Sequence, residues 1–211
     1  MSAAAAPALS LWRPSPARFA RLVTGLWIFG TGEALIIAAG LGNSPWTVLA
    51  QGVARQTPLA IGAATVAISF AVLLLWVPLR QRPGLGTVMN AILIGIAIDV
   101  ALLVLPEPRA MALEVRAALL ATGIVVVAIG SGLYLTCRLG PGPRDGLMTG
   151  LSRRTGRSLR LWRTVVEASA LIGGVVLGGV AGIGTVAFAL LIGPAVQAAV
   201  QRLDDPGGGA L

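Results

Sequence analysis

The stretch Leu41-Gly42-Asn43-Ser44-Pro45-Trp46-Thr47-Val48-Leu49-Ala50-Gln51-Gly52-Val53-Ala54-Arg55-Gln56-Thr57 returns 98 residues later as Leu139-Gly140-Pro141-Gly142-Pro143-Arg144-Asp145-Gly146-Leu147-Met148-Thr149-Gly150-Leu151-Ser152-Arg153-Arg154-Thr155. Leu, Gly, Pro, Leu, Gly, Arg and Thr recur in register. The same offset pairs Thr24-Gly25 with Thr122-Gly123, and Gly32 with Gly130. It also pairs Gly84-Leu85-Gly86-Thr87-Val88 with Gly182-Ile183-Gly184-Thr185-Val186, and Leu93-Ile94-Gly95 with Leu191-Ile192-Gly193. Coincidence among abundant Gly and Leu does not account for matched Pro, Arg and Thr at a single offset. A duplication is therefore expected.

Outside these matches the chain is strongly apolar. Of 211 residues, 56% are hydrophobic and only 11% charged, with a mean hydropathy of +0.87. A soluble domain carries about 25% charged residues, so a soluble enzyme and a disordered chain are both disfavoured. A spanning helix needs about 20 apolar residues to cross about 30 Å of hydrocarbon. Six segments fit or nearly fit: 19–39, 58–79, 87–105, 117–136, 161–180 and 185–200. Each copy of the repeat then holds three spans. Three is odd, so the second copy enters the membrane from the opposite side, as in several secondary-transporter folds. The expected fold is an all-α membrane protein, six transmembrane helices as two inverted three-helix repeats, each with a short interfacial or re-entrant helix. Repeat one is expected over 19–105, an outer connector over 106–116, and repeat two over 117–203. Residues 1–18 are read as a disordered cytoplasmic N-terminus and 204–211 as a flexible C-terminus.

Arginine sets the orientation. All basic residues are Arg, and with the N-terminus inside, thirteen of the sixteen lie on inner segments. Only Arg55, Arg109 and Arg116 then face outward. By the positive-inside rule both termini of this multi-pass chain are expected in the cytoplasm. The segment 138–163 carries seven arginines and one acid, which suits anionic lipid headgroups at about 1 kcal/mol per basic residue. The basic surplus thus implies a lipid partner, and no nucleic acid.

The short pieces 44–55 and 143–155 are helix-like but cover only about half a bilayer. Ser44 and Pro45 suit an N-cap and first helical position. Two placements are open: re-entry, with the positive N-terminal end aimed inward, or lying flat at the interface, where Trp46 would be at home. The flat or shallow placement is the expectation.

The chain has no histidine and a single cysteine, Cys137. Imidazole metal sites, Ser-His-Asp triads and disulfides are thereby excluded. No enzyme activity, metal or cofactor is expected, and Cys137 is read as a buried thiol.

Polar residues inside spans are costly, at about 2.5–3.5 kcal/mol for a central Asp or Arg. Glu33, Asn90, Asp99 and Gln197 are the candidates for an intramembrane polar site. Glu33 and Asp99 reach similar depth in outward-running spans, which would permit a shared proton or cation site. Asp99 and Gln197 are repeat mates, each four residues after a glycine (Gly95, Gly193). They are expected to meet near the axis relating the repeats. Asn90 lies nine residues before Asp99, on the opposite face of that helix. Gly140, Pro143, Arg144, Asp145, Arg163 and Glu167 form a candidate cytoplasmic motif. Arg163 and Glu167, one turn apart, suit a structural ion pair.

The run Leu139–Gly156, followed by Arg163, Thr164 and Glu167, resembles the YczE-type bacterial integral membrane proteins, more loosely the YitT-type. The segments Leu79–Thr87 and Ile192-Gly193-Pro194 with Val196-Gln197 fit the same resemblance. It implies a multi-span fold in the bacterial plasma membrane and supplies neither substrate nor catalytic residues. Two functions follow as expectations: transport or permeation of a small solute or ion, or a non-transporting accessory protein that recruits a protein partner through its basic cytoplasmic face. A polar cavity lined from both repeats would favour the first.

Overall fold

The computed structural model describes residues 11–107 and 111–204. Of the N-terminal residues 1–18 expected to be disordered, 1–10 lie outside these, as do the connector residues 108–110 and the tail 205–211; within 11–18, Leu11 O accepts from Leu85 N–H and α1 already starts at Pro16, capped by Ser15. The described residues form eight α-helices and no strand: α1 (Pro16–Ala39), α2 (Pro45–Gln56), α3 (Ile61–Leu74), α4 (Leu85–Leu102), α5 (Leu113–Leu135), α6 (Pro143–Thr155), α7 (Leu159–Val176) and α8 (Ile183–Leu203).

Four of them, α1, α4, α5 and α8, are long and apolar enough to cross a membrane. The pair α2 and α3 qualifies together as one broken span, bent by 112°. This corrects the expected spans in detail. The segment 58–79 yields only the 14 residues of α3, because Trp76 turns back and donates its indole N–H to the Pro143 carbonyl at 3.0 Å. Pro78 then prevents continuation of the helix. Conversely, α8 runs 21 residues, to Leu203, longer than the expected span. The first half of α7 carries Arg160, Arg163 and Glu167 and is too polar to count among the four.

Large apolar side chains face outward: Leu103 is 84% exposed, Val104 83% and Val176 79%. Such a belt suits hydrocarbon and not water. Inside lipid, burial of apolar surface no longer drives helix association, so close packing must. The centre of the fold shows that packing. α1 and α5 run antiparallel, Gly25 lying against Gly130 and Gly32 against Gly123 and Val127. A methyl at Gly32 would fall 2.7 Å from the Val127 amide nitrogen. α4 packs on α1 and α8 on α5, while α2 and α6 each lie between α3 and α7.

Contacts between the two halves recur with their residues exchanged at the 98-residue offset. Gly86 N–H donates to Leu139 O at 2.9 Å, and Gly184 N–H to Leu41 O at 2.8 Å. Arg116 caps the end of α1 through Ala39 O at 2.7 Å, and Arg18 binds Cys137 O at 2.6 Å. Gly42 and Gly140 both adopt φ 113°, where an L side chain is strained, and the left-handed residues Gly40 and Arg138, or Arg80 and Gly178, are likewise paired. Cys137 is buried as expected.

Candidate functional site

The N-terminal halves of both short helices are buried and their C-terminal ends exposed. Ser44, Pro45, Trp46, Thr47 and Val48 are buried, whereas Arg55 and Gln56 are exposed. Pro143, Gly146, Leu147 and Met148 are buried, with Arg144 half-buried and Asp145 open to the cavity between them, whereas Arg153 and Arg154 are exposed on the far end. α2 therefore turns its N-terminal end into the bundle and meets α3 at a bend of 112°. The buried end is where a helix presents unpaired N–H groups and a partial positive charge.

In the first half that end meets Glu33 of α1, which is 1% exposed. Thr47 Oγ1 donates to its carboxylate at 2.8 Å, and Ser44 Oγ lies 3.1 and 3.2 Å from the two carboxylate oxygens. Ser44 occupies the N-cap position as expected, but its hydroxyl does not bond the helix backbone. In the second half the arrangement is inverted. The acid is Asp145, on the short helix at the position equivalent to Thr47, and the donor is Tyr134 of α5, whose hydroxyl lies 3.3 Å from Asp145 Oδ2. Burying the Glu33 charge without partners would be costly, and the two hydroxyls supply them; Asp145 is exposed to the cavity, with the Tyr134 hydroxyl beside it.

The two buried ends border one cavity of about 450 Å³. Ser44 and Trp46 enter it from the first half with Asn90, and Tyr134, Arg144 and Asp145 from the second. Arg144 lies 5.1 Å from the centre of the Trp46 ring. Arg163 and Glu167 also line the cavity, paired at 3.4 Å as expected. Phe29, Val127, Phe188 and Ile192 supply apolar wall.

The residues singled out in the sequence thus part company. Asn90 and the motif residues Pro143, Arg144, Asp145, Arg163 and Glu167 are brought together at the cavity. Gly140 makes the turn before α6, close against Gly84 and Thr87. Asp99 goes elsewhere: its carboxylate accepts the N–H groups of Gly62 at 2.6 Å and Ala63 at 3.0 Å, capping α3. Glu33 and Asp99 share no site among the described residues, and Gln197 is exposed on α8. The expected meeting of Asp99 with Gln197 does not occur. The reason is local: where Asp99 finds Gly62, Gln197 would find Arg160 at the equivalent place, and α7 is capped by its own Ser158.

Sequence reasoning missed Thr47, Ser131 and Tyr134 as site residues. The repeat register carried a usable signal. It aligns Glu33 with Ser131 and Thr47 with Asp145, each pair polar in otherwise apolar surroundings. Tyr134 is the chain's one tyrosine. Among the described residues no group of three acids or thiols could hold a metal ion.

A family model described as a family of unknown function, DUF6198, matches residues 16–201. The chain is 31% identical over 172 residues to an uncharacterized membrane protein, YczE, of Bacillus subtilis, covering 80% of this chain and 79% of the relative. The chain belongs to the YczE-type family of membrane proteins. An uncharacterized protein of Haemophilus influenzae is 44% identical over 190 residues, covering 90% of this chain and 86% of that one. A third relative of the YczE-type chain, the uncharacterized protein YyaS of Bacillus subtilis, is 30% identical over 163 residues, covering 76% and 81%. No solved structure matches the chain significantly.

Proposed function

We propose that this YczE-type protein is a multi-pass inner-membrane carrier for a small polar solute. Its architecture on this reading is six spans in two inverted three-span repeats, with α2 and α6 as re-entrant helices and both termini in the cytoplasm. The observation that carries it is the cavity bordered by the buried N-terminal ends of both short helices. Helix N-termini meeting at the interface of inverted repeats are a recurrent design in secondary transporters. The exchanged contacts at the 98-residue offset and the antiparallel α1–α5 pair support the inverted relationship. The arginine bias supports the orientation.

The flanking hairpins differ in a way a carrier needs. α3 and α4 are closed on each other: Gly62 and Gly95 approach so tightly that a methyl on either would overlap the other's carbonyl. Asp99 holds them by its two hydrogen bonds. The equivalent pair, α7 and α8, is apart. Gly193 has no atom within 4 Å of where a Cβ would sit, and the cavity reaches the gap, with Arg163 and Glu167 on one side and Gly193 and Val196 on the other. One access route is open and the other shut. A transport cycle would part α3 from α4 by breaking the Asp99 contacts.

The test is uptake of a pooled set of metabolites and ions into proteoliposomes holding the full chain. Accumulation of at least one solute above protein-free vesicles is expected. Correctly inserted, folded protein with no flux of any member would sink the carrier reading in favour of the accessory one. That alternative draws its support from the exposed arginines Arg153, Arg154, Arg157 and Arg160.

A further inference from the structure

Taking the cavity as the solute site, we infer that its ligand is a small zwitterion, with a carboxylate held by Arg144 and an ammonium group held by Asp145, on an apolar body. The inference rests on the carrier reading for location only; the chemistry comes from the lining.

The charged side chains of the lining are Arg144, Arg163, Asp145 and Glu167. Arg163 and Glu167 neutralise each other as an ion pair. Arg144 and Asp145 are adjacent in sequence but make no ion pair with each other, since neighbouring helical positions point in different directions. Arg144 has the Trp46 face beneath it and no hydrogen-bond acceptor among the described residues. Its guanidinium, a planar fork of five donors, is thereby left to meet a carboxylate. The unpaired N–H groups at the buried ends of α2 and α6 add positive potential on the same side. The Trp46 indole N–H is also buried without an acceptor.

The opposite pole lies beside Gly142. The Asp145 Oδ2 and the Tyr134 hydroxyl are each 3.3 Å from the point a Cβ on Gly142 would occupy, and the Asn90 amide is 3.4 Å from it. Three polar groups from α4, α5 and α6 thus converge on one small space. Among the described residues only the Tyr134 hydroxyl donates to the Asp145 carboxylate, which leaves acceptor capacity for an ammonium group.

Charge balance selects the zwitterion over a simple anion or cation. The four lining charges sum to zero, and the Glu33 carboxylate behind them is already held by the Ser44 and Thr47 hydroxyls; a zwitterion can therefore engage both Arg144 and Asp145, where a singly charged ligand engages only one. The volume of about 450 Å³ and the apolar wall leave room for a hydrocarbon side chain; pockets for small ligands run about 300–1,000 Å³.

The experiment uses the purified full chain in detergent, with binding read by calorimetry and by thermal shift. The probes are the twenty standard amino acids and glycine betaine. For each zwitterion that binds, the matching decarboxylated amine and deaminated acid follow, for L-leucine isopentylamine and 4-methylpentanoate. We expect at least one zwitterion to bind in the millimolar range or tighter, and each single-charge analogue at least about tenfold more weakly. Arg144→Gln should erase the preference over the amine, and Asp145→Asn the preference over the acid. Gly142→Ala, which keeps every charge and a permitted backbone, should weaken zwitterion binding by crowding the Asp145–Tyr134 space. An acid or amine binding as tightly as its parent zwitterion would overturn the inference, as would no binding of any zwitterion to protein that still melts cooperatively. Binding without uptake in proteoliposomes would uphold this site and sink the carrier reading; uptake of some other solute with no zwitterion binding would do the reverse.

Discussion

Arg144 stands 5.1 Å from the centre of the Trp46 ring, and the two residues are 98 positions apart. Residues at equivalent places in two copies touch each other only beside the axis that exchanges the copies. The proposed twofold therefore passes through the cavity, and the pair on it is not a match of like with like. A cation rests on an aromatic face, worth about 0.5–2 kcal/mol depending on desolvation. On the proposed reading, divergence of the two copies has made the axis itself the asymmetric, ligand-facing part of the fold.

The Glu33 cluster predicts a stability effect. Glu33→Ala would strand the Thr47 hydroxyl without its acceptor at a buried position and leave Ser44 only Thr47 Oγ1, at about 1–3 kcal/mol. The melting temperature should fall by roughly 2–10 °C. Glu33→Gln keeps an acceptor oxygen and should lose less than half as much. Equal losses for both variants in detergent-solubilised protein would show that charge, and not hydrogen bonding, holds α2 in place.

Asp99 predicts a gating effect. Removing the carboxylate takes away two bonds from the start of α3, each worth about 1.5–3 kcal/mol for a charged acceptor. In a Cys137→Ser background, a cysteine at the buried Thr65 of α3 should react with a thiol reagent at least about tenfold faster in Asp99→Ala, since 1.4 kcal/mol of opening is tenfold. An unchanged labelling rate would mean that the glycine contact by itself keeps α3 and α4 shut.

Two glycines make opposite predictions. Gly32→Ala pushes a methyl against the α5 backbone and should cost about 1–3 kcal/mol. Gly193→Ala meets no neighbouring helix; the gain in helix propensity is opposed by crowding of the new Cβ against the ring of Pro194, so the change should stay within about 1 kcal/mol of neutral. Thermal melts of the two variants side by side test this, and similar destabilisation by both would mean that α7 and α8 are closed in solution.

The basic face predicts a lipid preference. Arg154 binds the Pro78 carbonyl, whereas Arg153 and Arg157 are exposed. Arg153→Gln with Arg157→Gln should reduce the thermal stabilisation given by phosphatidylglycerol relative to phosphatidylcholine, and salt should narrow the difference in the wild type. Should the preference for anionic lipid survive the double substitution, these charges serve topology only.

Topology can be checked on the same Cys137→Ser background. Single cysteines at Thr57 and Arg157, both exposed, should label from opposite faces of intact cells or oriented vesicles. Labelling from one face would refute the inverted repeat, because these positions follow α2 and α6 in the two copies.

The membrane class and the all-helical content were legible in the sequence, because hydropathy is a local property that runs of residues carry by themselves. Glu33 and Asn90 stood out because polar groups in apolar spans carry a cost that must be offset, and the Gly140–Asp145 run because it repeats the turn at Gly42 with an added Arg-Asp pair. Adjacency was not legible. An offset of 98 residues says which positions correspond and not which ones touch. Asp99 and Gln197 correspond, yet one caps α3 through Gly62 and the other is exposed on α8, since Arg160 replaces the glycine that allows close approach. Trp46 and Arg144 also correspond, and these do touch. Only the way α2 and α6 turn their first residues into the bundle, under close packing of glycine-faced helices, decided which polar groups would share a cavity.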